Sequence, residues 1–224
     1  MVYNNLALIY YNKSLKNINR EINIKKSEEL YKKSIKLNSK IPEANTNLGN
    51  LYSHIGRNNE SIKFHKLAIS ANPKYIYSYL NIANVYVSIG NFNEAKKYLE
   101  KALQKDSNFT LAHRLMSRIK KYSKNDPHLK QLKDLYDKTN DDDEINKMNL
   151  AFALGKANED AENFEESFVY YKAANSIHRS KISFSLKKEK DYFDEIKKTY
   201  DKKIFLKYRN SGINNSSPIF IVGM

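Results

Sequence analysis

The sequence predicts an all-α chain that folds as a solenoid of stacked helical hairpins and ends in the first strand of an α/β domain. The main observation is an internal repeat, because residues 42–75 align with residues 76–109 without a gap. Glycine and proline are scarce, at 6 and 4 residues of 224, whereas an all-β fold needs many tight turns that use both. Residues 218–224 form a short apolar run rich in β-branched residues, which is typical of a buried strand.

The two aligned units keep the same type of residue where helices would pack. They share large, small and glycine positions, namely Leu48 with Ile82, Tyr52 with Tyr86, Gly56 with Gly90, and Ala68 with Ala102. Small residues let two helices cross closely, and glycine is favoured where a helix ends in a left-handed conformation. The pattern resembles the tetratricopeptide repeat, a helical hairpin of about 34 residues. This resemblance implies a right-handed α-solenoid with a concave groove.

The repeat continues with weaker matches in both directions. Five hairpins are predicted within an array over residues 1–180, at 2–38, 42–75, 76–109, 110–138 and 144–180. Beyond the array, the sequence predicts linking helices over 181–209, a polar linker over 210–217 and the strand over 218–224. The interval from Ala7 to Ser27 is longer than the matching interval from Gly49 to Ser61, so we expect a longer first hairpin.

Composition excludes several classes of protein and compartment. The chain has no cysteine, which rules out disulfides, thiolate ligands and a cysteine nucleophile. No apolar run is long enough to span a bilayer and no secretory leader is evident, so we expect a cytoplasmic protein with no membrane contact. The net charge is +14, but 33 of the 39 cations are lysine, whereas arginine is the residue that recognises phosphates and base edges with two hydrogen bonds. We expect a solvated basic surface and no specific nucleic-acid partner; a nucleic-acid binder is the third hypothesis.

Five asparagines recur at fixed places in the repeat. Asn5, Asn47 and Asn81 share the position directly before Leu or Ile, and Asn50 and Asn84 follow three residues after two of them. In tetratricopeptide scaffolds this position faces the concave groove, and an amide can donate to and accept from a peptide backbone at once. The pattern therefore predicts a ladder of amides that holds a polypeptide partner. The alternative is that asparagine recurs because it is abundant throughout the chain.

No other pattern in the sequence indicates chemistry. The five histidines show no metal-ligand spacing, and no Ser/His/Asp arrangement, paired carboxylates or glycine-rich loop is evident. We therefore predict no catalytic residue and no metal site in this chain. A basic stretch runs from Arg179 through the lysines of residues 187–203, and it forms either a solvated surface or a contact with an anionic partner.

A more specific resemblance rests on the end of the chain. Residues 218–224 have the sequence Pro-Ile-Phe-Ile-Val-Gly-Met, and the fifth hairpin contains Phe152-Ala-Leu-Gly-Lys-Ala and Ala174-Asn-Ser-Ile-His-Arg. In this context the chain resembles the bacterial tetratricopeptide-repeat sulfotransferases, whose catalytic domain begins with such a strand and is related to protein-tyrosine sulfotransferases. The resemblance covers the repeats and that first strand, which is the non-catalytic part of the family.

This resemblance implies a function for a longer parent protein. The parent would transfer a sulfuryl group from 3′-phosphoadenylyl sulfate to an acceptor, such as a protein tyrosine, that the repeats present. The chain itself would hold no cofactor, because only Gly223 corresponds to the start of the phosphosulfate loop and the rest of that loop would follow Met224. The alternative belongs to another class: a stand-alone tetratricopeptide adaptor for protein–protein interaction, without enzymatic activity.

Overall fold

The computed structural model describes residues 2–209, and every regular element in that range is a helix, with no strand. The helices are α1 (Val2–Leu15), α2 (Arg20–Leu37), α3 (Pro42–His54), α4 (Asn58–Ala71), α5 (Ile76–Ser88), α6 (Phe92–Lys105), α7 (Thr110–Ile119), α8 (Pro127–Lys138), α9 (Glu144–Asp160), α10 (Phe164–Ser180), α11 (Leu186–Thr199) and α12 (Lys202–Lys207). The predicted all-α class is confirmed for these residues. The linker predicted over 210–217 and the strand predicted over 218–224, including Gly223, lie outside them. None of the helices between residues 2 and 209 combines the length and apolar character needed to cross a bilayer.

Consecutive helices pair as hairpins, and the hairpins stack. α1 packs against α2, α3 against α4 and α5 against α6. The second helix of each pair also contacts the first helix of the next pair, and the first helices contact one another from α1 to α7. Buried apolar clusters form around Leu48, Leu99 and Leu132 along the array. Each unit thus buries its apolar surface against its neighbours, which is the physical basis of a solenoid.

Left-handed residues follow the first helix of most hairpins. Gly56 and Gly90 have φ values of 78° and 76°, a conformation that glycine adopts without steric cost. The backbone N–H of Arg57 then donates to the carbonyl of Tyr52 at 2.8 Å, which satisfies an acceptor at the helix end. Glu162, with φ of 62°, occupies the corresponding turn of the last hairpin without being a glycine. The repeat therefore specifies this turn most strongly in its two most regular units.

Small residues allow the two helices of a hairpin to approach closely. The hydroxyl of Ser27 donates to the carbonyl of Ala7 at 2.9 Å, and the hydroxyl of Ser167 donates to the carbonyl of Gly155 at 2.8 Å. Both bonds join the second helix to the backbone of the first. A Cβ atom added at Gly155 would meet the ring of Tyr171 at 2.7 Å. Larger side chains at these positions would therefore push the helices apart.

The fourth hairpin departs from the regular pattern. A long connection, residues 120–126, replaces the short turn between α7 and α8. Both helices pack against α9. At this contact the hydroxyl of Thr110 donates to the amide oxygen of Asn146 at 2.5 Å and accepts from the amide nitrogen of Asn149 at 3.3 Å. The hairpin predicted over 110–138 is thus irregular, because α9 is a shared packing partner of its two helices.

Residues 180–209 belong to a second unit, which contains α11 and α12. Ser185 caps the start of α11, because its hydroxyl oxygen accepts from the backbone N–H of Lys188 at 3.3 Å. Asp201 caps the start of α12, because its carboxylate accepts from the backbone N–H of Lys203 at 2.9 Å. Most lysines of the predicted basic stretch lie on these two helices, and none of the residues of α11 is buried.

Bulky substitutions at the helix crossings should destabilise the solenoid. Ala68 and Ala102 are fully buried at equivalent positions of α4 and α6. We expect Ala68→Leu and Ala102→Leu each to lower the free energy of unfolding by about 1–3 kcal/mol, because extra methylene groups must enter a packed crossing. Lys66→Leu, on the exposed side of α4, is the matched control and should change stability by less than about 0.5 kcal/mol. The measurement is urea unfolding. Unchanged unfolding midpoints for both Ala68→Leu and Ala102→Leu would contradict this placement of the repeat.

Candidate functional site

A depression lies between the first helices of the second and third hairpins. Its volume is about 340 Å³, and it lies between α3 and α5 with a contribution from Tyr11 of α1. Asn50, Asn81 and Asn84 all line it. Three of the five asparagines that the repeat pattern predicts for a groove are therefore brought together on one face of the first helices.

A second depression continues this face towards α7. It has a volume of about 290 Å³ and lies between α5 and α7, lined by Leu80, Asn84, Leu111, Arg114, Leu115 and Arg118. Asn84 lines both depressions, so they are neighbours along the first helices. We call the two depressions together the first-helix groove, defined by the residues that line them.

The amides in the first-helix groove differ in how they are satisfied. Asn84 donates from its amide nitrogen to the carbonyl of Leu80, one turn earlier, at 3.2 Å. Asn50 and Asn81 make no side-chain hydrogen bond to any other residue of the range 2–209. Both are partly exposed. Their donors and acceptors are available to a molecule that enters the groove.

Asn5 and Asn47 behave differently from the other three predicted residues. Neither lines the first-helix groove. The amide nitrogen of Asn47 donates to the amide oxygen of Asn4 at 3.1 Å, and the amide nitrogen of Asn4 lies 3.5 Å from the oxygen of Asn5. Because α1 and α3 bring these side chains within hydrogen-bonding distance, Asn47 is engaged within the protein. The structure thus divides the predicted ladder into a self-paired part and an available part.

Two arginines give the α7 end of the groove a positive charge. Arg114 donates from Nη1 to the amide oxygen of Asn149 at 3.0 Å, and its guanidinium lies 4.3 Å from the ring centroid of Phe152. Burial, together with the nearby charge of Arg118, lowers the pKa of Arg114, although a guanidinium stays protonated in proteins. No carboxylate lines either depression. This part of the groove is therefore suited to an anionic group.

The arginine pair was not predicted from the sequence, although a signal for it exists. Arg118 follows Asn50 and Asn84 at the same repeat interval, and Arg114 lies one helical turn before it. Extending the repeat position by position into the fourth hairpin would have placed Arg118 in the groove. The degenerate sequence of that hairpin concealed the register.

His65 is a buried histidine whose ring nitrogens have no partner. Its side chain is fully buried, and neither Nδ1 nor Nε2 has a hydrogen-bond partner. The ring lies against Gly49, where an added Cβ would come within 2.7 Å of it. Leu99 occupies the same position in the next repeat. Burial lowers the pKa of His65 to about 4, so the ring is neutral at pH 7.

A chain of hydrogen bonds fixes the start of α8. The carbonyl of Ser107 can only accept, so His113 donates from Nε2 at 2.8 Å and accepts through Nδ1. His128 therefore donates from Nε2 to His113 at 2.8 Å and accepts from the hydroxyl of Tyr122 at 2.7 Å. Burial, then the proximity of His113 and Lys120, lowers the pKa of His128 to about 4. With both histidines neutral, every ring nitrogen of His113 and His128 has a hydrogen-bond partner.

The described residues contain no other arrangement that suggests a reaction. Between residues 2 and 209, no three His, Asp or Glu side chains lie close enough together to hold a metal ion. The available amides and the arginine pair are groups that bind. Ser53, His54 and His65 also line the groove, but no hydrogen bond joins the serine hydroxyl to either imidazole ring. The geometry of the site is therefore that of a binding surface.

Comparison with known proteins identifies the repeats. Two models of the tetratricopeptide repeat match the chain, at residues 30–63 and 76–109. The helical array of residues 2–179 is thus a solenoid that contains tetratricopeptide repeats. The tetratricopeptide resemblance drawn from the sequence is confirmed, whereas neither the family models nor the similar structures include a sulfotransferase domain. No curated protein matches the sequence at a significant level.

Solved structures with the same fold cover most of the chain at low sequence identity. One is MamA, with 21% identity and a TM-score of 0.52 over 77% of this chain and 96% of that chain. Another is MamA 41-end from Desulfovibrio magneticus RS-1, with 15% identity and a TM-score of 0.52 over 79% and 97%. A third is YrrB, described as a TPR protein with an unusual peptide-binding site, with 19% identity and a TM-score of 0.51 over 80% and 86%. These similarities support the fold.

The buried histidines should make stability depend on pH. Between pH 6.5 and about 4 the unfolded chain binds protons at His65 and His128 that the folded chain does not bind. The free energy of unfolding should therefore fall as the pH is lowered through this interval, by on the order of 1–3 kcal/mol for each residue. His65→Leu should abolish the part of this pH-dependent fall in the free energy of unfolding that His65 causes. At pH 7 it should also stabilise the fold by about 1–3 kcal/mol, because no unsatisfied nitrogen is left buried.

Denaturant unfolding at several pH values checks both effects. His178→Gln, at an exposed position of α10, is the control and should leave the pH dependence of the wild type unchanged. A His65→Leu variant that is less stable than the wild type at pH 7 would show that the ring nitrogens have partners in solution.

Proposed function

We propose that this chain is a scaffold for protein–protein interaction that holds a polypeptide segment in the first-helix groove. The observation that carries the proposal is the presence of unpartnered amides on Asn50 and Asn81 in this groove. An asparagine amide can pair with the N–H and C=O of an extended backbone simultaneously, and it does so without selecting a side chain. The peptide-binding site named for YrrB, a protein of the same fold, is consistent with this use of the groove.

The charge of the groove defines the partner further. Arg114 is held by Asn149 and Phe152, whereas Arg118 is exposed and has no ion-pair partner among residues 2–209. Two guanidinium groups without a counter-charge attract a carboxylate, and an arginine can bind both oxygens of one carboxylate. The groove is therefore best suited to a polypeptide segment that places an acidic residue beside α7. The apolar lining from Leu80 and Leu111 favours a hydrophobic residue beside that acid.

Variants of the groove should weaken peptide binding while leaving the fold intact. The probe is a displayed library of random peptides, followed by calorimetry with a selected peptide. Asn50→Ala with Asn81→Ala should cost about 1–3 kcal/mol of binding free energy, because two hydrogen-bonding amides are lost. Arg118→Glu should reduce affinity for an acidic peptide by about tenfold or more, because like charges then face each other.

The controls separate binding from stability and from net charge. Lys63→Glu makes the same change of charge on an exposed position of α4 and should leave the affinity within about twofold. The groove variants should keep their unfolding free energies within about 0.5 kcal/mol of the wild type, since the substituted side chains are exposed or partly exposed and make no hydrogen bond within residues 2–209. If selected peptides bind Arg118→Glu and the wild type equally, the groove is not the binding surface.

A sulfotransferase parent is a second proposal, which rests on the sequence of residues 218–224 and of the fifth hairpin. In such a parent the repeats would present an acceptor, and 3′-phosphoadenylyl sulfate would be bound by residues outside this chain. Gly223 is the one residue assigned to that donor, and it lies outside the described residues, so no chemical step is assigned to this chain. The adaptor function does not depend on this proposal, because the groove lies wholly within α1 to α7.

Calorimetric titration and the coding sequence test the second proposal separately. The chain of residues 1–224 should not bind 3′-phosphoadenosine 5′-phosphate, the product nucleotide, in the micromolar range, because its sequence lacks a phosphosulfate loop. Codons for Pro-Arg-Ser-Gly-Thr-Thr directly after Met224 would support the parent enzyme. Micromolar binding of the nucleotide by the present chain would show that the donor site has been misplaced.

A further inference from the structure

A second and larger cavity lies near the other end of the repeat array. Its volume is about 600 Å³, and it is enclosed by the connection 120–126, α8, α9 and the start of α10. It shares no lining residue with the first-helix groove. A volume of this size is in the range that accommodates a small organic molecule.

The cavity exists because α8 is held away from the regular packing position. The connection 120–126 leads the chain to α8, and the hydrogen bonds among His113, His128 and Tyr122 fix where that helix starts. Lys120 further fixes the start by pairing with the carboxylate of Asp126 at 2.6 Å. Since these contacts are made within the protein, the wall formed by α8 is present before any ligand binds.

The floor of the cavity is apolar. Leu154 is almost fully buried there, and Leu129 and Tyr170 are partly buried at its sides. The ring of Tyr170 packs edge-on against Tyr136, with the ring centroids 5.3 Å apart, which holds it in place. A hydrocarbon chain or ring in contact with this floor would remove apolar surface from water.

The rim of the cavity is positively charged. Lys124, Lys130 and Lys133 line it, and none of the three has an ion-pair partner within residues 2–209. The lining carboxylates are Asp126, which is already paired with Lys120, and Glu166. The rim thus has more positive than negative charge, and it faces an apolar floor.

Two of the three amides that line this cavity are engaged within the protein. Asn158 donates to the carbonyl of Leu154 at 3.0 Å, and Asn163 donates to the amide oxygen of Asn158 at 3.3 Å. The third, Asn125, lies on the exposed connection 120–126. The polar groups that remain at the cavity are therefore mainly the rim lysines, which favour an anionic group beside the apolar floor.

We propose that this cavity binds a small amphipathic carboxylate. Its hydrocarbon part would lie against Leu129, Leu154 and Tyr170, and its carboxylate would be held at the rim by Lys130 and Lys133. Lysine suits this role because its ammonium group binds an anion from many directions and keeps its charge at neutral pH. The site is independent of the proposed adaptor function, because the two surfaces share no residue.

Calorimetry with three probes tests this assignment on the full chain. Octanoate carries both the hydrocarbon part and the charge, octan-1-ol lacks the charge, and acetate lacks the hydrocarbon chain. We expect octanoate to bind saturably at one site, and octan-1-ol and acetate to bind at least about tenfold more weakly, because each lacks one of the two matched features. Equal affinity for octanoate and octan-1-ol, or no saturable binding of octanoate at millimolar concentration, would overturn the proposal.

Variants locate the binding within the cavity. Lys130→Gln with Lys133→Gln should weaken octanoate about fivefold to tenfold, since exposed ion pairs contribute modestly, and should leave octan-1-ol unchanged. Leu129→Gln should weaken both probes. Lys63→Gln with Lys66→Gln, on exposed positions of α4, is the matched control and should bind octanoate as the wild type does.

Two further results would also decide against the small molecule. If the Lys130 and Lys133 substitutions leave octanoate binding unchanged, the anion is held elsewhere. If a peptide with a C-terminal leucine carboxylate binds this cavity more than about tenfold more tightly than octanoate, the occupant is a chain terminus. Loss of octanoate binding in the cavity variants, with peptide binding in the first-helix groove retained, would support the assignment.

Discussion

At the crossing of the two helices in a hairpin, the first helix presents a glycine or an alanine, and a side chain of the second helix packs directly against its backbone. His65 lies against Gly49, and Tyr171 lies against Gly155, at distances that leave no room for a Cβ atom. This contact sets the rotation of each first helix about its own axis. The same rotation decides which residues face away from the second helix, so the position of the groove side chains depends on it.

The two candidate sites use positive charge in different ways. In the first-helix groove the charge belongs to Arg114 and Arg118, whose planar groups suit a carboxylate on a polypeptide. At the second cavity it belongs to lysines around an apolar floor, which suits an anion of less defined geometry. The low proportion of arginine in the chain makes its few positions informative. Two of the six lie together in the groove.

The sequence was sufficient to predict the hairpins and their turns, because Gly56, Gly90 and the small residues at the crossings recur at a constant interval. It was sufficient to place Asn50, Asn81 and Asn84 in one groove for the same reason. The pairing of Asn47 with Asn4 could not be predicted, since the residues equivalent to Asn4 in the next repeats are Thr46 and Leu80, and the pattern therefore does not repeat this contact. The second cavity could not be predicted either, because the irregular connection 120–126 interrupts the period that guides every other assignment.

The direction of the hydrogen bonds at the start of α8 has a consequence for how that region binds protons. One added proton on His113 forces His128 to move its own proton from Nε2 to Nδ1, which reverses the bond to Tyr122. A second proton would place two N–H groups opposite each other. Protonation of either imidazole therefore rearranges the hydrogen bonds of both rings and of Tyr122. The carbonyl of Ser107 thus sets the tautomers of side chains that follow it in the chain.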